Sequence, residues 1–507
     1  MKPANRAITN TIVQYVQLIV NVIVGLFSVR LILKALGPDD YGIYDVVGGV
    51  IAILSFVKTS LSQTSLRFIS VSLGKNDEQD IRTIFNKCFW LHFVIATVLV
   101  VFLEFSGLFL FDFLNIPEDR ITASRVVFQC MLISLFLSIA LSPFRALIYA
   151  NEKFYFPSFV GILDSILKLL VAYALLNTSY DKLILYSVLI VLIGVINAFL
   201  YLSYVFANYR RYVRISRPSI HGSKDLSVFA AWTMFDIIGA IATRQGYAIM
   251  INKLFGTSAN AAFAISRQIE GHSYTVSASV IEAIKPQIMK SYGRGDNRRM
   301  FRLAMSAGKF GFTMMAIITI PLIIYMPDIL NIWLNKVPDG AVGFSRLLVA
   351  ACMVEQLSKG LVYAAQATGD IKWFYICVCI CRIVAIPVSI VCIMSGLPII
   401  SVFYVYFVCE ALGSLSRVLI SSKHDAFHIK DFLYSIMLKT FVPFVIAFSL
   451  CWWLNVVITH SLINIILVMV CTSSVYCLLV FLFGLSQEEK VVIKNVYDSF
   501  CMKFIKR

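Results

Sequence analysis

Charged residues are scarce in this chain. Only 14% of its 507 residues are Asp, Glu, Lys or Arg, whereas 59% are hydrophobic, and the mean hydropathy is +0.83. This composition excludes a soluble protein and leaves little chain for a large domain outside a membrane. Unpaired backbone groups are costly in lipid, so long apolar runs predict transmembrane helices, and the alternating ten-residue strands of a β-barrel are not visible.

Several catalytic and metal-binding patterns are missing as well. The 12 Cys form no C-x-x-C pair, and the chain contains neither a G-x-x-x-x-G-K-[ST] phosphate loop nor an H-E-x-x-H zinc motif. His424 and His428 stand four residues apart, but we interpret them as solvated loop side chains and not as zinc ligands. We therefore expect no enzyme, no cofactor and no metal site.

What the sequence does contain is a series of apolar segments, each long enough to cross a bilayer as a helix. They predict an all-α polytopic membrane protein with about 14 transmembrane helices. The segments are 8–36, 41–73, 84–112, 122–149, 156–177, 180–206, 227–254, 259–290, 302–326, 341–367, 371–395, 397–421, 433–455 and 459–484.

The net charge of +16 comes from basic residues that concentrate in alternate connectors. Examples are Arg210, Arg211, Arg214 and Arg217 in one connector, whereas the connector at Gly37 carries no Lys or Arg. Basic loops face the cytoplasm, so this pattern predicts cytoplasmic N- and C-termini. We expect no nucleic-acid partner.

An internal repeat relates the two halves of the chain at a constant offset. Gly37 matches Gly256, the turn 72–77 matches the turn 291–296, and residues 151–156 fall opposite 370–375. The repeat predicts two pseudo-symmetric six-helix lobes related by an axis along the membrane normal. The expected boundaries are an N-lobe at 1–207, a basic linker at 208–226, a C-lobe at 227–422, and two further helices with a basic tail at 423–507.

Charged residues inside the apolar segments are candidates for a functional site, because a charge at bilayer depth is costly. Arg30 and Arg244 have no acid one helical turn away, whereas Arg267 has Glu270 three residues on. Asp164 with Lys168, and Glu355 with Lys359, stand at the spacing of structural ion pairs. Helices 1, 2, 7 and 8 carry most of the polar residues, which predicts a cavity between the lobes.

The Leu36–Tyr44 segment, the Ser-Leu-Gly-Lys turn at Ser72 and the Ala-Asn-Glu-Lys turn at Ala150 resemble those of the polysaccharide-biosynthesis flippases. These proteins belong to the multidrug/oligosaccharidyl-lipid/polysaccharide exporter superfamily. The resemblance implies alternating-access export of a polyprenyl-pyrophosphate-linked oligosaccharide, an O-antigen or capsule unit, to the outer leaflet of a bacterial inner membrane. Assembly proteins such as a polysaccharide polymerase, and membrane lipids, are then possible partners.

The resemblance also implies a cationic central cavity that binds the pyrophosphate of the substrate. The positions that match are Arg30, Lys58, Arg244 and Arg267, and protonation of Asp236, Glu270 or Glu282 would couple export to an ion gradient. Two alternatives remain open. One is a multidrug or cation exporter of the same superfamily, and the other is a polytopic glycosyltransferase or polymerase.

Overall fold

A computed structural model describes residues 3–113, 116–213, 215–216, 224–334, 336–458, 461–487 and 489–491, with some side chains left out. The regular secondary structure of these ranges is helical throughout. The chain forms two compact units. The N-terminal unit is Asn10–Met234, and the C-terminal unit is the part from Phe235 onward together with the first residues of the chain, up to Thr9. The basic linker residues 214 and 217–223, and the predicted basic tail from 492, lie outside the described residues.

The N-terminal unit is built from seven helices and the first residues of an eighth. The helices are α1 (Pro3–Ile53), α2 (Ser55–Lys75), α3 (Glu78–Phe113), α4 (Ile121–Ala140), α5 (Ser142–Ala150), α6 (Tyr155–Ala174) and α7 (Lys182–Tyr209). Single turns of 3₁₀-helix at Glu118–Arg120, Leu175–Asn177 and Arg210–Tyr212 adjoin α4, α6 and α7.

The C-terminal unit contains most of α8 and eight further helices. They are α8 (Lys224–Gly293), α9 (Asn297–Ile324), α10 (Met326–Trp333), α11 (Ala341–Thr368), α12 (Lys372–Met394), α13 (Ile400–Ser421), α14 (Ile429–Phe432), α15 (Lys439–Val457) and α16 (Leu462–Leu479). Turns of π-helix at Leu433–Leu438 and Val480–Gly484 extend α14 and α16.

Twelve helices of the described chain are long and apolar enough to cross a membrane. Two of them are kinked, α1 at Gly37 and α8 at Gly256, and each kink falls between two of the predicted segments. The twelve helices therefore account for thirteen of the fourteen segments and for the start of the second, and the prediction of an all-α polytopic membrane protein is confirmed. The second segment differs, because it is interrupted at Leu54 and most of it forms α2 (Ser55–Lys75), which is not one of the twelve.

The internal repeat is visible in the backbone of both units. Gly37 has φ 80° and ψ 170°, and Gly256 has φ 82° and ψ −175°, a conformation that is essentially restricted to glycine. The third predicted match is less exact. Helix α6 begins at Tyr155, whereas α12 begins at Lys372, slightly earlier than the position that the constant offset makes equivalent, Phe374.

The repeated turn is also capped in the same way in both units. The Oδ1 atom of Asp77 accepts a hydrogen bond from the backbone N–H of Asp80 (3.1 Å), and Oδ1 of Asp296 accepts one from that of Arg299 (2.9 Å). Each aspartate thus satisfies a free N–H group at the start of a helix, α3 or α9. Donor and acceptor both occupy equivalent positions of the repeat.

The last two long helices, α15 and α16, pack against α9 in one hydrophobic core with α11. The buried Lys309 of α9 donates to the carbonyl oxygen of Gly484 (3.1 Å) and forms an ion pair with Glu489. These helices lie outside the sequence repeat, but a polar contact and a shared apolar core join them to the C-terminal unit.

Candidate functional site

The predicted site residues are divided between the two units. Arg30 lies on α1 and Lys58 on α2, in the N-terminal unit, whereas Arg244 and Arg267 lie on α8, in the C-terminal unit. The three candidate acids, Asp236, Glu270 and Glu282, are on α8 as well. Each unit is therefore described separately.

On α8, Arg267 and Glu270 form an ion pair across three residues of the helix. The Nη1 atom of Arg267 lies 2.6 Å from Oε2 of Glu270, and both side chains are largely buried. The charges of both residues also act on Arg244, which is exposed and makes no hydrogen bond or ion pair with any described residue. Arg244 therefore stands beside a neutral pair as a cation without a partner, as its sequence context predicted.

A larger group of ion pairs surrounds Glu355 of α11. Its Oε1 atom lies 2.9 Å from Nζ of Lys359, 3.3 Å from Nη2 of Arg382 and 3.3 Å from Nη2 of Arg417. The Nε atom of Arg382 also lies 2.8 Å from Oε1 of Glu410. The predicted pair of Glu355 and Lys359 is therefore present, but it is one part of a network that joins α11, α12 and α13.

Sequence reasoning missed Arg382, Glu410 and Arg417. Each is an isolated charge in an apolar helix, and that signal alone could have marked them as members of a buried network. Spacing could not have paired them, because their partners lie on other helices. Asp236 approaches this group more loosely, with its Oδ1 atom 3.9 Å from Nη1 of Arg382.

Glu282 belongs to a separate small group on α8 and α11. Its Oε1 atom accepts a hydrogen bond of 2.9 Å from the hydroxyl of Tyr363, and its Oε2 atom lies 3.7 Å from Nζ of the buried Lys285. The Lys285 ammonium in turn lies 4.6 Å from the centre of the Tyr363 ring. Glu282 is 43% exposed, which makes it the most accessible of the three candidate acids.

These contacts nearly balance the charge of the group around Arg244 and Glu355. Around Arg244 and Glu355, the described residues provide five cations and four acids, which leaves one excess positive charge. The cations are Arg244, Arg267, Lys359, Arg382 and Arg417, and the acids are Asp236, Glu270, Glu355 and Glu410. Because the other four cations have acids within 4 Å, the excess charge lies at Arg244.

In the N-terminal unit, the structure brings neither Arg30 nor Lys58 within ion-pair distance of a described acid. Arg30 is exposed on α1, and Lys58 is half-buried on α2. Asp164 and Lys168 form the predicted pair on α6, with Oδ2 and Nζ 2.8 Å apart. Arg30 and Lys58 therefore lack the acidic partner that Arg267 has in the C-terminal unit.

Several polar side chains of α2, which the sequence placed in a predicted cavity, are buried and hydrogen-bonded in the structure. Ser60, Thr64 and Ser65 are buried within the N-terminal unit. The hydroxyl of Ser60 donates to the carbonyl oxygen of Ala230 (2.8 Å), and that of Thr64 donates to the carbonyl oxygen of Ser60 (2.9 Å). The prediction that the polar residues of this helix line a cavity is thus wrong for these three side chains, which pack inside the unit.

Comparison with known proteins gives a partial match in sequence and an extensive match in fold. The family model described as MatE matches residues 7–174, about a third of the chain. No curated protein matches the sequence.

Several solved transporter structures superpose on most of the chain. A MATE protein in the bent conformation is 12% identical, with a TM-score of 0.73, and the match covers 83% of this chain and 96% of that one. A MOP-superfamily transporter from Pyrococcus furiosus is also 12% identical, with a TM-score of 0.72 and the same coverage. A multidrug-resistance MATE transporter in an outward-facing conformation is 11% identical, with a TM-score of 0.69, covering 83% and 94%. The chain therefore has a MATE-like fold.

Proposed function

We propose that this protein is a polytopic exporter of the MATE type, which moves amphipathic organic solutes across a membrane by alternating access and catalyses no chemical reaction. The proposal is supported chiefly by the MATE-like fold across 83% of the chain, together with the family-model match at residues 7–174. The multidrug-type exporter, which the sequence left as an alternative, fits these comparisons better than the O-antigen flippase, for which they give no support.

The candidate acids of α8 are our proposal for coupling export to an ion gradient. Glu270 is buried against Arg267 and Asp236 lies near Arg382, so a cation or proton at either acid would compete with a guanidinium. Glu282 is more exposed, its nearest cation is an ammonium at 3.7 Å, and its other partner is the neutral hydroxyl of Tyr363. Glu282 is therefore the acid best placed to exchange an ion with solvent.

A lipid-linked oligosaccharide flippase remains a second candidate because of the cations. Arg30, Lys58 and Arg244 have no acid within 4 Å among the described residues, and an arginine can hold a phosphate oxyanion through paired hydrogen bonds. In the Pyrococcus furiosus transporter, a reverse polarity of the binding pocket suggests a different function for that protein. A MATE-like fold by itself therefore does not fix the charge of the solute.

Transport by the purified protein in proteoliposomes tests the proposal. One set of vesicles is given a fluorescent organic cation, a second an amphipathic organic anion, and a third a polyprenyl-pyrophosphate oligosaccharide. Gradient-dependent movement of either soluble solute supports the exporter. Movement of the lipid-linked sugar alone would overturn it in favour of the flippase.

The variant Arg244→Glu identifies the sign of the solute's charge. If the solute is anionic, reversing the one unbalanced charge of the described C-terminal group should abolish its transport while the protein still inserts normally. Arg244→Lys keeps the charge but loses the guanidinium fork, so it should retain partial transport. Full anion transport by a normally inserted Arg244→Glu protein would exclude contact of Arg244 with the solute.

We also propose that the protein resides in a bacterial cytoplasmic membrane with both termini inside. Reporter fusions after Arg298 and Lys430 should then report the cytoplasm, whereas fusions after Asp39 and Asp119 should report the exterior. The orientation of the termini is supported by the bias of basic residues toward alternate connectors. An exterior signal after Arg298 would contradict it.

A further inference from the structure

Helix α3 carries a single acid in its apolar part. Glu104 is the only charged residue from Phe93 to Phe109, and this run lies within one of the candidate membrane spans. Its Oε2 atom accepts a hydrogen bond of 3.1 Å from Nε2 of Gln129 on α4. The amide of Gln129 is neutral, so this contact satisfies an oxygen of the carboxylate and leaves its charge uncompensated.

The surface around Glu104 is exposed and apolar. On α3, Val101 is 48% exposed and Leu108 is 69% exposed, and these two residues lie about one turn before and one turn after Glu104 on the same side of the helix. On α4, Gln129 is exposed, and so is Ile133, one turn further along. Glu104 is itself half-buried. The acid therefore lies where two helices meet on an exposed face of the N-terminal unit.

The same face carries a single cation. Arg125 is the only charged residue of α4, and it is exposed, one turn before Gln129. Its guanidinium carbon lies 5.8 Å from the ring centre of Phe111 on α3. Because Gln129 meets Glu104, Arg125 lies about one helical turn from the acid. We call this surface the α3–α4 face, and it is made of Val101, Glu104, Leu108, Arg125, Gln129 and Ile133.

Neither charge of the α3–α4 face has an opposite charge within 4 Å among the described residues. Charges on transmembrane helices are costly in lipid, and they normally face the interior of a helix bundle or pair with one another. An acid and a cation on an exposed face depart from this rule if lipid alone covers them. They conform to it if a second protein surface brings a cation to Glu104 and an acid to Arg125.

The partner that matches this face is a second copy of the same chain. In a two-fold symmetric dimer both copies use the same surface, and each contact between two different residues occurs twice. We propose that the α3–α4 face is the interface of a homodimer, in which Glu104 of each copy pairs with Arg125 of the other. Polar contacts of this kind stabilise helix association in membranes, where apolar surface alone gives no driving force. This assembly goes beyond the proposed export function and does not depend on it.

Energy transfer between copies in proteoliposomes tests the dimer. Full-length protein with a donor or an acceptor fluorescent protein at its C-terminus is mixed and reconstituted at increasing lipid-to-protein ratios. The wild-type protein should show energy transfer that persists beyond the ratio at which random encounters cease, and then falls at a dilution midpoint. Transfer at the level of random encounters at every ratio would show that lipid or a different protein covers the face, and it would overturn the proposal.

Charge reversal tests whether the two residues meet across the interface. In Glu104→Arg each contact joins two cations, and in Arg125→Glu two acids, so each variant alone should move the dilution midpoint to a roughly tenfold lower lipid-to-protein ratio. A donor-labelled Glu104→Arg protein mixed with an acceptor-labelled Arg125→Glu protein should associate as the wild type does, because each copy supplies the charge that the other has lost. Unchanged midpoints of the single variants, or no recovery in the mixture, would overturn the proposal.

Two exposed charges of the same unit outside the α3–α4 face provide matched controls. Glu78 forms an ion pair with Arg82 at the start of α3, and Nζ of Lys153 lies 6.0 Å from the ring centre of Tyr155. Glu78→Arg and Lys153→Glu change the net charge by the same amounts as the two test variants, and they should leave the dilution midpoint of the wild type unchanged. An equal loss in these controls would show that net charge, and not this face, governs association.

Neutral variants provide a second test in case a reversed charge prevents insertion. Glu104→Gln and Arg125→Gln each remove one half of the pair and should each weaken association roughly fivefold. The variant with both substitutions should be no weaker than either single variant, since all three lack the same ion pair. Additive losses would show that the two residues do not contact each other and would overturn the proposal. None of these measurements involves solute export, so the dimer and the proposed function can fail separately.

Discussion

The two units share their turns but differ in how they neutralise charge. Gly37 and Gly256 adopt the same backbone conformation, and Asp77 and Asp296 cap the next helix with equivalent hydrogen bonds. In the C-terminal unit, however, the Glu355 carboxylate lies within 3.3 Å of three cations. The N-terminal unit has no such network among its described residues.

This difference distinguishes the turn geometry, which both units need for their fold, from the charge placement, which differs between them. Turn geometry is common to both units, so it reflects the demands of the fold. Charge placement is not shared: in the C-terminal unit Glu355 joins cations of three helices, whereas in the N-terminal unit Lys58 and Arg145 lack acids among the described residues.

The largest expected effect comes from breaking the C-terminal network. Glu355→Gln removes the acid shared by Lys359, Arg382 and Arg417, and the remaining cations then repel one another. Loss of one partner of a buried ion pair typically costs about 3–5 kcal/mol. We expect a strongly lowered thermal midpoint of the purified protein, measured by size-exclusion chromatography after heating.

An exposed pair provides the control for this variant. Glu78 and Arg82 form an ion pair on the surface of α3, where such pairs contribute roughly 0–1 kcal/mol. Glu78→Gln should therefore leave the midpoint almost unchanged. If Glu355→Gln were equally harmless, the network would not stabilise the C-terminal unit.

The opposite result is expected in the N-terminal unit. Lys58→Met removes a half-buried charge that has no acidic partner in the described chain, so it should leave the thermal midpoint unchanged or raise it. The same heating assay in a phosphate-free buffer measures this change. A large loss of stability would mean that Lys58 is neutralised within the protein and would weaken the contrast between the units.

Replacing the glycine at either kink should lower the stability by an intermediate amount that is similar for both. An added Cβ meets no atom within 4 Å at either Gly37 or Gly256, so Gly→Ala would act through backbone strain alone. Strain in such a sparsely populated region costs about 1–3 kcal/mol. Gly37→Ala and Gly256→Ala should lower the thermal midpoint by similar amounts. A large difference between them would contradict the equivalence of the kinks.

The two capping aspartates provide a finer test of the same equivalence. Asp77→Ala and Asp296→Ala each leave helix N–H groups without an acceptor, at a typical cost of about 1 kcal/mol. The two variants should shift the unfolding midpoint by matching amounts, and Asn at either position should restore most of the loss. Unequal shifts would show that surrounding contacts, and not the cap, hold one of the turns.

The features that sequence predicted well are local. Gly37 and Gly256 could be paired from the sequence because both kinks need a backbone conformation that favours glycine. Arg267 could be paired with Glu270 because residues three apart meet on one face of a helix. The lengths of the apolar segments likewise located the helices. The interruption at Leu54 was missed, since no glycine or proline marks it.

The features that sequence missed depend on contacts between helices. Arg382 of α12 meets Glu410 of α13, and Arg145 of α5 stacks on Tyr201 of α7. Periodicity orders residues along one helix and gives no information on which faces of two helices pack together. For the same reason, the burial of Ser60 could not be distinguished from a position in a cavity.

The smallest expected effect on stability concerns the ion pairs of Arg120 in the N-terminal unit. Arg120 joins two acids, with its Nε atom 2.9 Å from Oδ1 of Asp40 and its Nη1 atom 2.6 Å from Oδ2 of Asp181. Asp181 also caps α7 by accepting a hydrogen bond from the N–H of Leu183 (3.0 Å). In the C-terminal unit, the N-cap residue of α13 is Ile399, which has no side-chain acceptor.

The pKa of Asp181 makes this contact sensitive to acid. Burial raises the pKa of its carboxyl group, but hydrogen bonds from backbone N–H groups and from Arg120 outweigh burial and hold it below the ordinary value. Because the folded-state pKa is the lower one, the stabilisation is complete above the unfolded-state value of about 3.9 and is lost as the pH falls from there through the folded-state pKa. The difference in thermal midpoint between wild type and Asp181→Asn should therefore be constant from neutral pH down to roughly pH 5 and shrink below roughly pH 4. A difference that grew as the pH fell would show that the acid is stabilised in its protonated form and that Arg120 does not hold α7 at this end of the unit.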